Sequence, residues 1–130
     1  MASILVVEDH PVFTQSIVRL LRDRGNFQVT TAGTGEKAAE RLQNMDVDLV
    51  LIDVSLPGMS GIQLITIIHD FKPDLPCLML SGHLAAHYVQ QSMAAGARGY
   101  VLKEDIPGIL EGIAAVLRGE TFISEPLRPH

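Results

Sequence analysis

The chain has 130 residues, with 15 acidic against 10 basic side chains, a net charge of −5 and a pI near 5.4. That length suits one domain with a real core, and the acidic balance argues against a nucleic-acid surface on this piece. No apolar run nears the roughly eighteen residues of a membrane span, and Met1-Ala2-Ser3 leads straight into a strand, so no membrane partner and a cytoplasmic location are expected.

Ile4-Leu5-Val6-Val7 is a continuous apolar run, as a strand covered on both faces requires, and it ends on two acids, Glu8 and Asp9. Pro11 suits the first turn of a helix, where its missing N–H costs nothing. Phe13, Ile17, Leu20 and Leu21 then recur at helical spacing up to Gly25, the expected C-cap. Phe27 to Thr31 alternates like a half-exposed edge strand. Thr34 can cap a second helix with Ala38, Leu42 and Met45 on one face. Leu49 to Ile52 is another buried run and stops on Asp53, after which Ser55, Pro57, Gly58, Ser60 and Gly61 mark a loop.

A third helix uses Leu64, Ile65, Ile68 and Phe71, and Pro73 and Pro76 end it. Cys77 to Leu80 follows as a fourth strand, with Ser81 at its end. Its cysteine, the only one in the chain, cannot make an internal disulfide and reads as packing. A fourth helix over about 84–94 aligns Ala85, Tyr88, Val89 and Met93. Gly99 to Leu102 is a short fifth strand ending on Lys103. Pro107 opens a fifth helix with Ile109, Leu110, Ile113, Ala114 and Leu117 inside and Gly119 beyond its end.

Five strands alternating with five helices predict a three-layer α/β domain around a parallel sheet. Right-handed crossovers put all five strand ends on one edge, although periodicity does not set the strand order. That edge collects Glu8, Asp9, Asp53, Ser81 and Lys103. Three neighbouring carboxylates repel one another by about 4 kcal/mol per pair at 4 Å and an effective dielectric near 20. Such a cluster holds a cation or raises a pKa. An all-oxygen set suits Mg²⁺, and one such ion neutralises the −2 left by three acids and a lysine. A carboxylate nucleophile, a divalent ion, an ammonium and a hydroxyl together suit phosphoryl transfer through an aspartyl phosphate.

The motifs Glu8-Asp9, Asp53 with Leu56-Pro57-Gly58, Ser81-Gly82 and Gly99-Tyr100-Val101-Leu102-Lys103 stand in the order and spacing of a response regulator receiver domain, which residues 3–118 resemble. The resemblance implies a doubly wound, flavodoxin-like sheet of order 2-1-3-4-5. It implies Asp53 as phosphoacceptor and Mg²⁺ held by Glu8, Asp9, Asp53 and the Ser55 carbonyl. By the same resemblance Lys103 pairs with Asp53, Ser81 moves toward the phosphoryl group, and Tyr100 turns from solvent into the space behind it. It further implies a sensor histidine kinase as partner and a homodimer on phosphorylation. By the resemblance, His83 would line the mouth of the site and Ser55 would stand where loss of phosphate to water is tuned, in a direction left open. The His83/His87 spacing otherwise reads as solvated rather than metal-binding.

One departure is Glu104 after Lys103, where many receivers have a cis proline; a trans bond is expected here. Together with the tail from Gly119 to Ser124, it resembles regulators of the NarL/FixJ class, whose LuxR-type helix-turn-helix would bind DNA through a domain absent from this chain. Residues 1–119 then form the receiver and residues 120–130 the start of a linker or a tail. The alternatives are a stand-alone receiver or an interaction module independent of phosphorylation. An enzyme acting on a separate substrate is disfavoured, because Glu8-Asp9-His10 stands where nucleotide enzymes of this shape carry a glycine-rich motif.

Overall fold

The computed structural model describes residues 1–82 and 86–129. Four central strands are buried along their whole length apart from Ser3: β1 (Ser3–Val7), β3 (Leu49–Asp53), β4 (Cys77–Ser81) and β5 (Gly99–Leu102). The half-exposed β2 (Gln28–Ala32) stands at one edge. Side chains alternate across each strand, so every apolar run feeds two cores. Ile4, Val6, Leu49, Leu51, Leu78 and Leu80 meet α1 (Pro11–Asp23) and α5 (Ile106–Leu117) on one face. Leu5, Val7, Val50, Ile52 and Met79 meet α2 (Gly35–Asn44), α3 (Gly61–Phe71) and α4 (Ala86–Ala94) on the other.

The sheet is parallel throughout, in the order β2-β1-β3-β4-β5-β6. The expected 2-1-3-4-5 order is there, with one strand added. That strand, β6 (Phe122–Ile123), lies in residues read as the start of a linker and pairs Phe122 with Gly99 and Ile123 with Tyr100. Two glycines give it room: a Cβ on Gly99 would lie 2.6 Å from the Phe122 carbonyl oxygen, and one on Gly112 3.0 Å from the Phe122 ring. Ser124 then clips the tail down. Its N–H donates to the Tyr100 carbonyl (3.0 Å), its Oγ accepts from the Leu102 N–H (3.0 Å), and the same Oγ donates to Asp105 Oδ2 (2.8 Å). A 3-10 turn over Glu125–Leu127 follows, and Arg128 returns to donate to the Ile123 carbonyl at 2.7 Å while covering the Phe122 ring.

Most boundaries match the spacing rules, with a few shifts. Thr34 caps α2 through its hydroxyl, and α5 starts at Ile106, one residue before Pro107, with Asp105 as its cap. α1 stops at Asp23, and the left-handed residue after it is Asn26 (φ 59°), not Gly25. Gly25 is needed for space instead, since a Cβ there would sit 2.5 Å from the Phe27 ring. No cis peptide occurs among the described residues, so Glu104 follows Lys103 in trans. No helix among the described residues is long and apolar enough to cross a membrane.

Candidate functional site

Parallel pairing aligns the strand ends that carry the chemistry. The Glu8 N–H donates to the Ala32 carbonyl, the Val54 N–H to the Leu80 carbonyl and the Lys103 N–H to the Ser81 carbonyl, at 2.8 to 3.1 Å. Each strand end is thus tied to its neighbour, and Glu8, Asp9, Asp53, Ser81 and Lys103 stand along one edge.

Glu8 and Asp53 are both buried, whereas Asp9 is exposed. One carboxylate oxygen from each of the three lies within 4.8 Å of the others. Lys103 Nζ stands between the two buried acids, donating to Glu8 Oε1 and to Asp53 Oδ2, each at 3.3 Å. Glu8 Oε2 is 3.1 Å from the same nitrogen but outside hydrogen-bonding geometry, so it is ion-paired while lacking a hydrogen bond among the described residues. Asp53 Oδ1 accepts from the Ser55 N–H at 2.9 Å, and Glu8 Oε1 also accepts from the His10 N–H at 3.2 Å. The remaining side of the ammonium faces the ring of Phe13, with Nζ 4.7 Å from its centroid.

The electrostatics follow from that packing. Burial, followed by the Asp53 charge, pushes Glu8 up to about 7 against the hydrogen bond from Lys103. Burial alone would lower the Lys103 ammonium; its hydrogen bond to Glu8 and the charges of Asp53 and Glu8 outweigh this and hold it above its ordinary value. An under-bonded buried carboxylate oxygen and an all-oxygen acid set fit a hard divalent cation, so the residues present suit Mg²⁺.

Ser81 is fully buried at the end of β4. Tyr100 corrects the expectation of a solvent-facing start: its ring is fully buried in the core shared with α3 and α4. Burying an aromatic ring of 150–250 Å² contributes about 4–6 kcal/mol, more than the roughly 1–3 kcal/mol cost of leaving its hydroxyl without a partner. Among the described residues the Tyr100 Oη makes no hydrogen bond of ordinary geometry. Burial raises its pKa, and the nearby Ser81 hydroxyl offsets part of that rise. His83 lies outside the described residues, and His87 is exposed on α4.

Two residues belong to the site that the sequence alone does not mark. Phe13 reads there only as a core position of α1, though it follows Asp9 by four residues. Gly61 opens α3, where a Cβ would come within 2.5 Å of the Asp53 carbonyl oxygen and 2.8 Å of Met79 Cε. Gly61→Ala is therefore expected to lower stability by about 1–3 kcal/mol, read as an earlier urea midpoint at unchanged slope.

The response regulator receiver domain family matches this chain over residues 4–121. The transcriptional activator protein ExaE of Pseudomonas putida is 35% identical over 126 residues, 95% of this chain and 59% of its own length. The nitrate/nitrite response regulator protein NarP of Escherichia coli is 32% identical over 124 residues, 94% and 58% of the two lengths. The chain thus spans about three-fifths of the curated relatives it matches. Among solved structures, a two-component response regulator of the LuxR family from Aurantimonas sp. SI85-9A1 superposes with a TM-score of 0.93 at 28% identity, over 98% of this chain and 92% of that one. Motif, fold and relatives agree, and the chain belongs to the response regulator receiver domains, the signalling modules of two-component systems.

Proposed function

We propose that Asp53 takes a phosphoryl group from the phospho-histidine of a sensor histidine kinase, and that the domain's output face changes when it does. The observation that carries this reading is the buried Asp53 carboxylate, paired with Lys103 and grouped with Glu8 and Asp9 at one strand edge. Asp53 Oδ attacks phosphorus as the bond from phosphorus to the imidazole nitrogen breaks, and the imidazole leaves with the electron pair. The Ser55 N–H holds the other carboxylate oxygen and so orients the attacking one. Lys103 is free to follow the charge from carboxylate to phosphoryl oxygen.

Glu8, Asp9, Asp53 and the Ser55 carbonyl would hold Mg²⁺, which supplies positive charge against the phosphoryl oxygens. Loss of phosphate to water would use the same residues, so the domain catalyses only its own phosphorylation and dephosphorylation. Residues 1–119 form the receiver, and residues 120–130 are the start of a linker or a tail, whose Phe122–Ile123 adds an edge strand to the receiver's sheet. Relatives named as transcriptional activator and response regulator support control of transcription, through a DNA-binding domain outside this chain.

The switch runs through Ser81. Its hydroxyl moves to a phosphoryl oxygen, and the inward Tyr100 ring is retained behind it, which favours one arrangement of α4, β5 and α5 for homodimerisation. A charge-assisted hydrogen bond contributes about 1.5–3 kcal/mol, enough to shift a two-state equilibrium about tenfold to a hundredfold. Ser81→Ala is expected to accept phosphate on Asp53 yet lose the beryllofluoride-dependent change in dimerisation, measured by ultracentrifugation. A variant that dimerised like wild type would remove Ser81 from the switch.

A further inference from the structure

We propose that Phe13 is a positioning residue for Lys103, its ring face holding the ammonium in line with the two buried carboxylates until a phosphoryl group arrives. This deepens the phosphoryl-transfer reading and rests on it. Lysine carries its charge on a flexible stem with three rotatable donors, so a pair of acids on one side does not by itself fix where the charge stands. Here Nζ has Glu8 at 3.1 Å and Asp53 at 3.3 Å on one side and the Phe13 ring centroid at 4.7 Å on another. The Lys103 side chain is 26% exposed, so the ammonium sits between the acids, the ring and solvent.

The ring is partly buried against the core that α1 and α5 form with the sheet, and the backbone that carries it is held. Phe13 lies in the first turn of α1, where its N–H donates to His10 Nδ1 at 3.4 Å and the Thr14 N–H to the His10 carbonyl at 2.9 Å. The segment that brings Glu8 and Asp9 to the site therefore brings the ring as well. An aromatic face attracts a cation through its quadrupole and carries no net charge. A third carboxylate in its place would trap the lysine and compete with the incoming phosphoryl oxygens; the ring orients the lysine and lets it move. The bland reading, that Phe13 only packs α1 against the sheet, predicts that any apolar side chain of the same shape does as well.

The experiment uses the full chain with phenylalanine at position 13 carrying zero, one, two or three ring fluorines, which drain the quadrupole stepwise while keeping shape. Phe13→Tyr and a cyclohexylalanine replacement, apolar but without a π face, complete the series. Two quantities are read: the rate of Asp53 labelling by acetyl phosphate at saturating Mg²⁺, and the ring-current shift of the Lys103 ε-methylene protons. The expected result is a rate falling with each fluorine, about three- to tenfold slower for the trifluoro and cyclohexyl forms, with Phe13→Tyr near wild type and all melting points close together. Equal rates across the series, or Lys103 protons without an upfield shift in wild type, would overturn the proposal. Absence of label on wild-type Asp53 would instead defeat the phosphoacceptor reading, and the proton shifts would still decide whether the ring holds the lysine.

Discussion

Asp53→Asn is expected to reduce labelling by acetyl phosphate or by a phosphorylated histidine kinase to background, a loss of at least about a hundredfold. The amide keeps the shape of the carboxylate, and its oxygen can still accept from the Ser55 N–H, but it has no anionic oxygen to attack phosphorus. The fold should survive, because the change removes one of two buried charges that repel each other rather than leaving one unpaired: Lys103 retains Glu8 at 3.1 Å. The check is quantitative radiolabelling beside a circular-dichroism melt. Label that persisted on the folded variant would move the phosphorylated residue elsewhere.

Next in size is the effect of removing the charge of Glu8. In metal-free protein this carboxyl is pushed up to about 7 by burial and by Asp53, from an ordinary 4.5. A group with a raised folded-state value contributes stability that is complete below the unfolded value and lost as pH rises through the folded one. Protein in EDTA should thus lose stability between about pH 4.5 and 7, by up to about 3 kcal/mol at 1.36 kcal/mol per unit. Glu8→Gln should flatten that loss and melt higher than wild type at pH 8. With Asp9→Asn added, Mg²⁺ affinity and phosphorylation should fall together while the fold holds. Urea midpoints across pH and a Mg²⁺ titration test both halves; a wild-type curve without slope in that window, or equal Mg²⁺ affinity in the double variant, would contradict them.

What could be read from the chain, and what could not, divides on physical lines. Ile4–Val7, Leu49–Ile52, Cys77–Leu80 and Gly99–Leu102 are legible because a strand covered on both faces must be apolar throughout, and parallel pairing then brings their last residues together. Glu8, Asp9, Asp53 and Lys103 became visible as one group through that rule. Strand order came only with the resemblance, since periodicity carries no neighbour information. The orientation of Tyr100 depends on room behind Ser81, which no local pattern encodes. Phe122–Ile123 is too short to show a period, and its place depends on missing side chains at Gly99 and Gly112. The pairing of Phe13 with Lys103 joins residues ninety positions apart and has no sequence signature.

The sixth strand has a further geometric consequence. Running parallel to β5, it leaves the sheet at the edge where Asp53 stands; an antiparallel strand would have delivered the chain to the opposite end, about 17 Å away for a strand of ordinary length. Beyond it Glu125, Pro126 and Arg128 line one hollow with Glu104 and Asp105, which follow the site lysine directly. Whatever the chain carries C-terminal to this hollow starts its path there. A short flexible connection would hold what it carries at a local concentration in the millimolar range around the reacting edge, so even a weak contact with that edge would be well populated.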